Sequence, residues 1–340
     1  MTTLHILSSP YNPVNIVNRT DAFAIAIVKF ISNMTSLGWN CIHYGIAGSS
    51  VDCEMIQCLP VIPDNQQDAI VQYNQTAGIE ISKRKKPGDF VLCFFGVENQ
   101  IAATMNSDLK IVEPSIGYST TAVFAPYRVF VSNAQMHFFY GQRNMLMNPS
   151  WNDQVIYNAF TPDEFDYCDQ KDDYLLCFGR IIETKGIHIA IQAAERTNTR
   201  LIIAGPGNLF DMGYSKIPDH VEVFGVADVT QRRQLMKKAK AIIGPTYYVE
   251  PFGNMVVEGY LSGTPAITTD WGGFTETVMN GVTGFRCRTM KDFVHAIENI
   301  DSIDSKKCRD WAIENCNETV IHKQYDQYFK RLMEGTFYNI

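Results

Sequence analysis

The sequence predicts an α/β protein built of two Rossmann-like domains, each with a parallel sheet flanked by helices. Short apolar runs alternate with helix-length amphipathic segments along nearly the whole chain, which is the pattern of parallel sheets. The length of 340 residues exceeds one ordinary core and suits two domains. A hydrophobic content of 46% supplies enough material for packed interiors.

The first half of the chain predicts the elements of an N-terminal domain, residues 1–160. The apolar run Leu4–Ser9 predicts a strand. Apolar residues at helical spacing predict a helix over Asp21–Leu37, with Asp21 as its N-cap and Gly38 as its stop. The other predicted strands are Asn40–Ile46, Val91–Gly96, Lys110–Val112, Arg128–Val131 and Val155–Tyr157, and the other predicted helices are Asp64–Lys83 and Ala134–Met145.

A change in composition predicts a linker over residues 161–173, which are polar, acidic and without periodicity. The alternation then restarts and predicts a second domain over residues 174–318, followed by a helix from about Thr319 to Met333. The predicted strands are Tyr174–Gly179, Arg200–Ala204, Val221–Gly225, Ala241–Pro245 and Pro265–Asp270. The predicted helices are Gly186–Thr197, Val229–Ala239, Phe252–Ser262, Gly273–Met279, Met290–Ile300 and Ser305–Asn315.

Charge and cysteine content exclude several classes of protein. A net charge of −7 and a pI near 5.5 argue against a nucleic-acid binder. Nine cysteines without a CxxC pair suit free thiols in a reducing compartment. A strand directly after Met1-Thr2-Thr3 leaves no signal peptide, and no apolar stretch approaches the roughly 18 residues of a membrane span. We therefore expect a soluble, cytoplasmic protein, and nothing indicates membrane association.

Two cations stand at the end of a predicted strand and the start of the next helix. Arg180 follows the strand Tyr174–Gly179, and Lys185 opens the helix. Arginine offers a planar fork, lysine a point charge and a helix start unpaired amides, so the pair suits a diphosphate. The pattern alone leaves open a pair of ordinary surface cations.

Two acids flank a turn at the start of another helix. Glu250 precedes the helix and Glu258 lies about one turn inside it. Because helical side chains lean toward the N-terminus, both carboxylates can approach one ligand and accept hydrogen bonds from sugar hydroxyls. The amides of Phe252, Gly253 and Asn254 can hold phosphate or sugar oxygens. The helix dipole explains each acid singly, but it does not explain the Pro-Phe-Gly turn between them.

From Tyr174 to about Arg288 the chain resembles the nucleotide-sugar-binding half of the GT-B glycosyltransferases, specifically glycosyltransferase family 4. The resemblance rests on seven pieces in matching order and spacing. They are Gly179-Arg180 with Lys185-Gly186, Ala204-Gly205-Pro206-Gly207, Phe224-Gly225-Val226, Glu250-Pro251-Phe252-Gly253 with Glu258, Gly263-Thr264-Pro265, Gly272-Gly273 with Glu276, and Thr283-Gly284-Phe285. The resemblance implies two Rossmann-like domains facing across a cleft, with the segment 319–340 packing back on the first.

The resemblance also implies a role for each matching residue. Arg180 and Lys185 would neutralise the donor diphosphate as it leaves. Glu250 would hold the transferred sugar, and Glu258 would bind the ribose. The other donor contacts would come from Gly179, Gly205, Phe252, Gly253, Asn254 and, near the base, Val226. The reaction implied is transfer from a nucleoside-diphosphate sugar to a glycan, lipid or other hydroxyl acceptor, with retention and without a metal or other cofactor.

The first domain departs from the family pattern at two places. Many members have paired glycines after the first strand and a histidine near the sugar, and neither is present here. Asn12, Asn18 and Arg19 are candidates for acceptor contacts, with a solvated loop as the alternative. Glu113 is a candidate replacement for the histidine, with a structural strand-end carboxylate as the alternative.

Four other classes of protein compete with a GT-B glycosyltransferase. A nicotinamide dehydrogenase would need a third glycine after Gly205-Pro206-Gly207, where Phe210 stands. A metal-dependent transferase of the GT-A type would need an Asp-x-Asp site, which the sequence lacks. A nucleotide-sugar epimerase of GT-B architecture and a nucleotide-sugar-binding protein without activity remain as alternatives, which turnover assays with and without acceptor distinguish.

Overall fold

The computed structural model of the protein describes residues 2–15 and 22–336. Its strands are β1 (Thr3–Leu7), β2 (Asn40–Ile46), β3 (Glu54–Leu59), β4 (Phe90–Cys93), β5 (Lys110–Ile116), β6 (Tyr127–Phe130), β7 (Gln154–Val155), β8 (Tyr174–Phe178), β9 (Arg200–Ala204), β10 (Val221–Gly225), β11 (Ala241–Gly244), β12 (Ala266–Thr269) and β13 (Gly284–Cys287). Its α-helices are α1 (Ala22–Ser36), α2 (Gln66–Arg84), α3 (Gln100–Thr104), α4 (Asn133–Gln142), α5 (Ile187–Arg196), α6 (Val229–Lys238), α7 (Asn254–Leu261), α8 (Phe274–Thr277), α9 (Met290–Asn299), α10 (Ser305–Cys316) and α11 (Glu318–Glu334).

Side-chain caps fix the starts of several helices. Asn65 accepts hydrogen bonds from the amides of Gln67 and Asp68 at the start of α2, at 2.8 and 3.1 Å. Asp228 and Thr289 form capping boxes at the starts of α6 and α9. Such caps satisfy amides that no helical carbonyl reaches, so a cap residue marks the start of a helix in the sequence. The observed starts of α2, α6 and α9 lie within two residues of the predicted starts.

The chain divides into two compact units. The first takes in residues up to Val131, Met136–Ala159 and the chain from Glu318 onwards, and the second takes in Ser132–Gln135 and Phe160–Asn317. Each unit has one fully parallel sheet. The first sheet has the order β3-β2-β1-β4-β5-β6-β7 and the second the order β10-β9-β8-β11-β12-β13. The predicted α/β fold with two parallel sheets is confirmed.

The sequence analysis missed β3 and β13, each of which lies at one edge of its sheet. Glu54–Leu59 is buried only at its last two residues, and Gly284–Cys287 is four residues long with a half-buried middle. An edge strand lacks a neighbour on one side and needs fewer apolar residues, so its sequence signal is weak.

The segment 161–173, predicted as a linker, lies in the second unit and is hydrogen-bonded to it. The amide of Cys168 donates to Ser262 O at 3.2 Å, and the amide of Asp172 donates to Lys238 O at 2.8 Å. The Lys171 ammonium also donates to Ser262 O and to Thr264 Oγ1. The polar composition of the segment 161–173 therefore reflects these bonds as well as solvent exposure.

The helix α11 contributes apolar side chains to the core of the first unit. The ring centroids of Tyr325 and Phe30 lie 5.2 Å apart, edge to face, and those of Phe329 and Phe90 also lie 5.2 Å apart. The indole of Trp39 donates to Asp326 Oδ1 at 3.0 Å. This helix therefore completes a core whose other parts come from the first 160 residues.

No helix within the described residues is both long and apolar enough to span a lipid bilayer. The nine cysteines are all free, and seven of them are buried.

Candidate functional site

The candidate site of the second unit lies where its strand order reverses. The chain runs outward from β8 through β9 to β10, then returns to the other side of β8 with β11. In open parallel sheets, ligands bind at such a reversal, outside the carboxyl ends of the strands. A narrow pocket with almost no free internal space lies there, lined by Phe178 and Gly244 at the strand ends and by Arg180, Lys185 and Thr246.

Two glycine loops meet backbone to backbone beside this pocket. Gly179 has φ +141° and its amide donates to Ala204 O at 2.9 Å. Gly205 has φ +151°, and a Cβ there would lie 1.9 Å from Gly179 O. Only glycine tolerates both this backbone angle and this contact, which explains the glycine at position 205 of the Ala204-Gly205-Pro206-Gly207 motif.

Gly186, at the start of α5, makes an equally close approach. Its φ is +67°, and a Cβ there would lie 1.8 Å from Pro245 O. We expect Gly186→Ala to lower the free energy of unfolding by about 3 kcal/mol, because a left-handed angle and a steric clash add. Gly281 is the matched control, since its φ is +76° and no atom of the residues that the structure describes lies within 4 Å of the added Cβ.

Urea unfolding of Gly186→Ala and Gly281→Ala separates the cost of the left-handed backbone angle from the cost of the steric clash. Gly281→Ala should lose about 1 kcal/mol from the backbone angle alone. Equal losses in the two variants would show that the approach of Gly186 to Pro245 does not constrain the loop.

Lys185, which lines this pocket, forms an ion pair with Glu250. The Lys185 ammonium lies 2.9 Å from Glu250 Oε2, and the two side chains are 19% and 14% exposed. The Tyr248 hydroxyl donates to the same carboxylate oxygen at 2.7 Å, and the ammonium lies 4.9 Å from the centre of the Tyr248 ring. Burial alone would lower the pKa of Lys185, but the Glu250 carboxylate and Tyr248 raise it above its ordinary value. Lys185 is therefore a fixed positive charge at neutral pH.

Arg180 differs from Lys185 in having no partner among the described residues. Its side chain is exposed, and no hydrogen bond or ion pair joins it to another residue in the described part of the chain. It nevertheless lines the same pocket as Lys185. One paired and one unpaired cation thus border one pocket.

Glu258 is the fifth residue of α7, and its side chain is only 10% exposed. Its Oε2 accepts a hydrogen bond from the guanidinium of Arg232, on α6. That guanidinium lies 4.7 Å from the centre of the Phe178 ring, and Phe178 lines the pocket. Glu258 is therefore connected through Arg232 and Phe178 to the pocket that holds Arg180 and Lys185.

The turn before α7 is held by backbone contacts. Phe252 is 2% exposed, and Gly253 has φ +90° at the N-cap of α7, so the helix begins two residues later than the sequence predicted. The amide of Gly273 donates to Glu250 O at 2.7 Å. This bond holds the backbone of Glu250 against the Gly272-Gly273 pair. Because α7 begins at Asn254, the first amides of the helix lie at the turn.

Two other motif residues from the sequence analysis make no hydrogen bond or ion pair with Lys185 or Glu250 in the described part of the chain, and their surroundings differ. Val226 follows β10 and is 71% exposed. The Glu276 carboxylate accepts hydrogen bonds from the amides of Asn133 and Ala134, at 2.9 and 2.8 Å. Glu276 is thus engaged by protein amides.

The acceptor-side candidates have different surroundings. Asn12 is exposed, and its amide donates to Ser9 Oγ at 3.0 Å. Asn18 and Arg19 lie outside the described residues, as does the predicted N-cap Asp21. Glu113 is fully buried and accepts hydrogen bonds from the amides of Phe124 and Ala125, at 3.2 and 3.4 Å.

The burial of Glu113 corrects its candidacy for acceptor contact. With no exposed surface, its carboxylate cannot touch an acceptor in this structure, and it holds the loop after β5 instead. Burial raises the pKa of Glu113 to about 7, although the two amides oppose this. The contacts therefore support the alternative, in which Glu113 is a structural carboxylate at the end of a strand.

Sequence reasoning missed Tyr248 and Arg232. Tyr248 stands in the loop after β11, two residues before Glu250, and its position after a strand was an available signal. Arg232 lies mid-helix, 26 residues before Glu258, and no local pattern connects the two. Within the residues that the structure describes, no group of three or more His, Cys, Asp or Glu side chains could hold a metal ion.

Comparison with known proteins identifies relatives of the second unit. Residues 166–315 match the family described as glycosyl transferases group 1. The chain is 37% identical over 123 residues to glycogen synthase from Mycobacterium tuberculosis, over 33% of this chain and 30% of the synthase. It is 33% identical over 155 residues to an uncharacterized glycosyltransferase from Methanocaldococcus jannaschii, over 38% of this chain and 40% of that protein. The chain thus spans less than half the length of these relatives.

Solved structures resemble both units. AviGT4, a glycosyltransferase involved in avilamycin A biosynthesis, matches with a TM-score of 0.75 at 17% identity, over 99% of each chain. Anabaena Alr3699/HepE in complex with UDP and glucose matches with a TM-score of 0.72 at 16% identity, over 97% of this chain and 100% of that chain. At these identities the likeness shows the fold.

Proposed function

We propose that this chain, whose residues 166–315 match the glycosyl transferases group 1 family, is a glycosyltransferase that uses a nucleoside-diphosphate sugar. The observation that carries the proposal is the pocket at the strand reversal, where Arg180 and Lys185 stand together and Lys185 is paired with Glu250. A site with two cations beside a carboxylate suits a ligand that joins a diphosphate to a sugar. The relative solved with UDP and glucose supports the same class of donor.

The proposed chemistry is the stabilisation of a leaving group. As the bond between sugar and diphosphate breaks, negative charge grows on the diphosphate, and fixed positive groups lower the energy of that transition state. Lys185 supplies a charge that its neighbours hold in place, and Arg180 supplies a fork that no other described residue engages. Glu250 accepts hydrogen bonds from hydroxyls of the transferred sugar.

Two finer points of the proposal rest on the resemblance to family 4. The acceptor is a hydroxyl group of a glycan, lipid or other molecule, and the anomeric configuration is retained. A front-face displacement, in which the acceptor attacks as the diphosphate departs, fits a site whose positive groups surround the leaving group. Proton NMR of the first product formed would report its anomeric configuration.

The proposal is tested by turnover of nucleotide sugars. A panel of donors screened by thermal shift identifies one that binds, because a ligand specific for the native state raises its stability. Transfer to an added acceptor is then expected in the wild-type protein and is expected to fall at least 100-fold in Arg180→Ala. Arg196→Ala, which removes an exposed arginine from the end of α5, is the control and should keep full activity.

The same assay separates the alternatives. An epimerase would convert the donor without any acceptor, and a binding protein would show a thermal shift without turnover. Either result would overturn the proposed transfer.

We further propose that transfer needs no metal ion, with Arg180 and Lys185 supplying the positive charge that a divalent cation supplies elsewhere. Activity is expected to stay within twofold of its normal value after dialysis against excess EDTA. A loss of tenfold or more that is restored by added Mg²⁺ or Mn²⁺ would contradict this.

We also propose that the protein acts in the cytoplasm, which is supported by nine free cysteines that suit a reducing compartment. Cell fractionation with detection of the chain would test this location.

A further inference from the structure

Tyr248 lies in the loop after β11 and contacts both members of the ion pair between Lys185 and Glu250. Its hydroxyl donates to Glu250 Oε2 at 2.7 Å, and the Lys185 ammonium donates to the same oxygen at 2.9 Å. The ammonium also lies 4.9 Å from the centre of the Tyr248 ring. One side chain therefore holds the acid through its hydroxyl and the cation through its ring.

These two donors leave the other oxygen of Glu250 for a further partner. Oε1 makes no hydrogen bond with a described residue, and it is not one of the fully buried side-chain atoms that lack a partner. The Glu250 side chain is 14% exposed, so Oε1 keeps surface that a ligand can reach. A carboxylate held by one oxygen presents the other in a fixed direction, which a directed hydrogen bond requires.

The backbone beneath these contacts is held by the loop after β12. The indole of Trp271 donates to Tyr248 O at 3.1 Å, and the amide of Gly273 donates to Glu250 O at 2.7 Å. A Cβ at Gly272 would lie 2.7 Å from both the N and the O of Glu250. The backbone of the loop is thus fixed, and the Tyr248 hydroxyl adds a restraint on the Glu250 side chain.

The Tyr248 hydroxyl remains a donor at neutral pH. Burial, followed by the charge of Glu250, raises the pKa of Tyr248 above its ordinary value, although Lys185 opposes this. Lys185 is also the proposed partner of a diphosphate, which competes with Glu250 for the ammonium. A half-buried carboxylate without any donor is strongly destabilised, so a second, neutral donor keeps Glu250 in place while Lys185 turns to the ligand.

We propose that Tyr248 is a positioning residue, whose hydroxyl holds Glu250 Oε2 so that Oε1 accepts a hydrogen bond from the transferred sugar. Tyr248 acts through Glu250 and does not touch the reacting atoms. This inference rests on the proposed function, because it assigns Glu250 to the sugar. It makes the orientation of the carboxylate, in addition to its charge, a determinant of the rate of transfer.

The first test removes the hydroxyl and keeps the ring beside Lys185. UDP-glucose, GDP-mannose and ADP-glucose are the donors, and turnover is measured as release of the nucleoside diphosphate with water or a free monosaccharide as acceptor. In Tyr248→Phe, kcat is expected to fall roughly 10- to 100-fold, the range for the loss of a hydrogen bond to a charged group. The calorimetric affinity for UDP, GDP or ADP should stay within twofold, because Arg180 and Lys185 remain.

Two comparisons assign the effect to Glu250. In single-turnover experiments on Glu250→Ala, adding Tyr248→Phe should change the rate by less than twofold, because the hydroxyl then has no carboxylate to hold. Tyr247→Phe is the matched control. Tyr247 is the adjacent tyrosine, its hydroxyl contacts His188 instead, and its variant should keep the wild-type kcat.

A second replacement tests the hydroxyl without removing it. Fluorine lowers the pKa of a phenol, and a phenolate cannot donate to a carboxylate. With a difluorinated tyrosine in place of Tyr248, the alkaline limb of the kcat profile should move to lower pH by at least one pH unit. The same replacement at Tyr247 should leave the profile unchanged. This measurement serves equally if Tyr248→Phe fails to fold.

Each outcome has one reading. A wild-type protein that neither binds nor turns over any of these donors contradicts the proposed function itself. Wild-type turnover with a kcat within threefold in Tyr248→Phe, or an unmoved pH profile with the fluorinated residue, overturns the positioning role alone. An equal loss from Tyr248→Phe with and without Glu250, or a loss of nucleotide affinity as large as the loss of rate, also overturns it.

Discussion

Replacing Lys185 with alanine is expected to slow sugar transfer by about 100- to 1,000-fold, the usual cost of losing one charge-stabilising donor at a reacting centre. The ammonium is held by Glu250 at 2.9 Å and by the ring of Tyr248, so it is positioned before the donor arrives. A preorganised charge needs no reorganisation in the transition state, and its loss therefore appears in kcat. The variant also leaves the Glu250 carboxylate, which is 14% exposed, without its cation.

Two measurements isolate the contribution of the charge at Lys185. Steady-state kinetics should show the loss mainly in kcat, and calorimetry should show weaker binding of the nucleoside diphosphate with little change for the monophosphate. Lys216→Ala is the control, since Lys216 is exposed and has no partner in the described structure. A kcat within threefold of the wild type would remove Lys185 from the proposed mechanism.

Replacing Glu113 with glutamine is expected to remove a pH dependence of stability worth about 3 kcal/mol. Burial raises the pKa of this carboxyl from 4.5 to about 7 in the folded protein. The folded state thus binds its proton more tightly than the unfolded state. The stabilisation from protonated Glu113 is complete below about pH 4.5 and is lost as pH rises to about 7, so this group makes the wild type less stable with increasing pH.

Urea unfolding of the first unit between pH 4.5 and 8, followed by hydrogen exchange of the β4 and β5 amides, measures this effect. The stability of Glu113→Gln minus that of the wild type should increase with pH, since glutamine stays neutral and still accepts from the amide of Phe124. The control Glu334→Gln changes an exposed carboxylate at the end of α11 and should follow the wild type. A constant difference across this range would show that Glu113 ionises normally.

The sequence predicted the strands that carry a clear apolar run, including the edge strand β10, and missed two other edge strands. The bounds of β2, β9 and β10 agree with those predicted, because each is an apolar run between clear turn signals. The edge strands β3 and β13 were missed, and Lys171 in the predicted linker is tied to Thr264 by a bond that spans 93 residues. Such a long-range bond leaves no trace in local composition.

The candidate site likewise contains residues that the sequence predicted and contacts that it did not. Lys185 and Glu250 were predicted because each follows a strand, and parallel strands bring their carboxyl ends to one edge of the sheet. The pairing of Glu258 with Arg232 depends on how α6 packs against α7, which periodicity does not specify. The burial of Glu113 depends likewise on the loop at Phe124, which no pattern near the strand predicts.

The position of α11 has a consequence for biosynthesis. The helix Glu318–Glu334 supplies Tyr325 and Phe329 to a core formed with Phe30 and Phe90. The ribosome therefore makes nearly all of the second unit before the first can bury these aromatic rings. Until then the early part of the nascent chain exposes the apolar surface that this helix later covers, which is the surface that chaperones recognise.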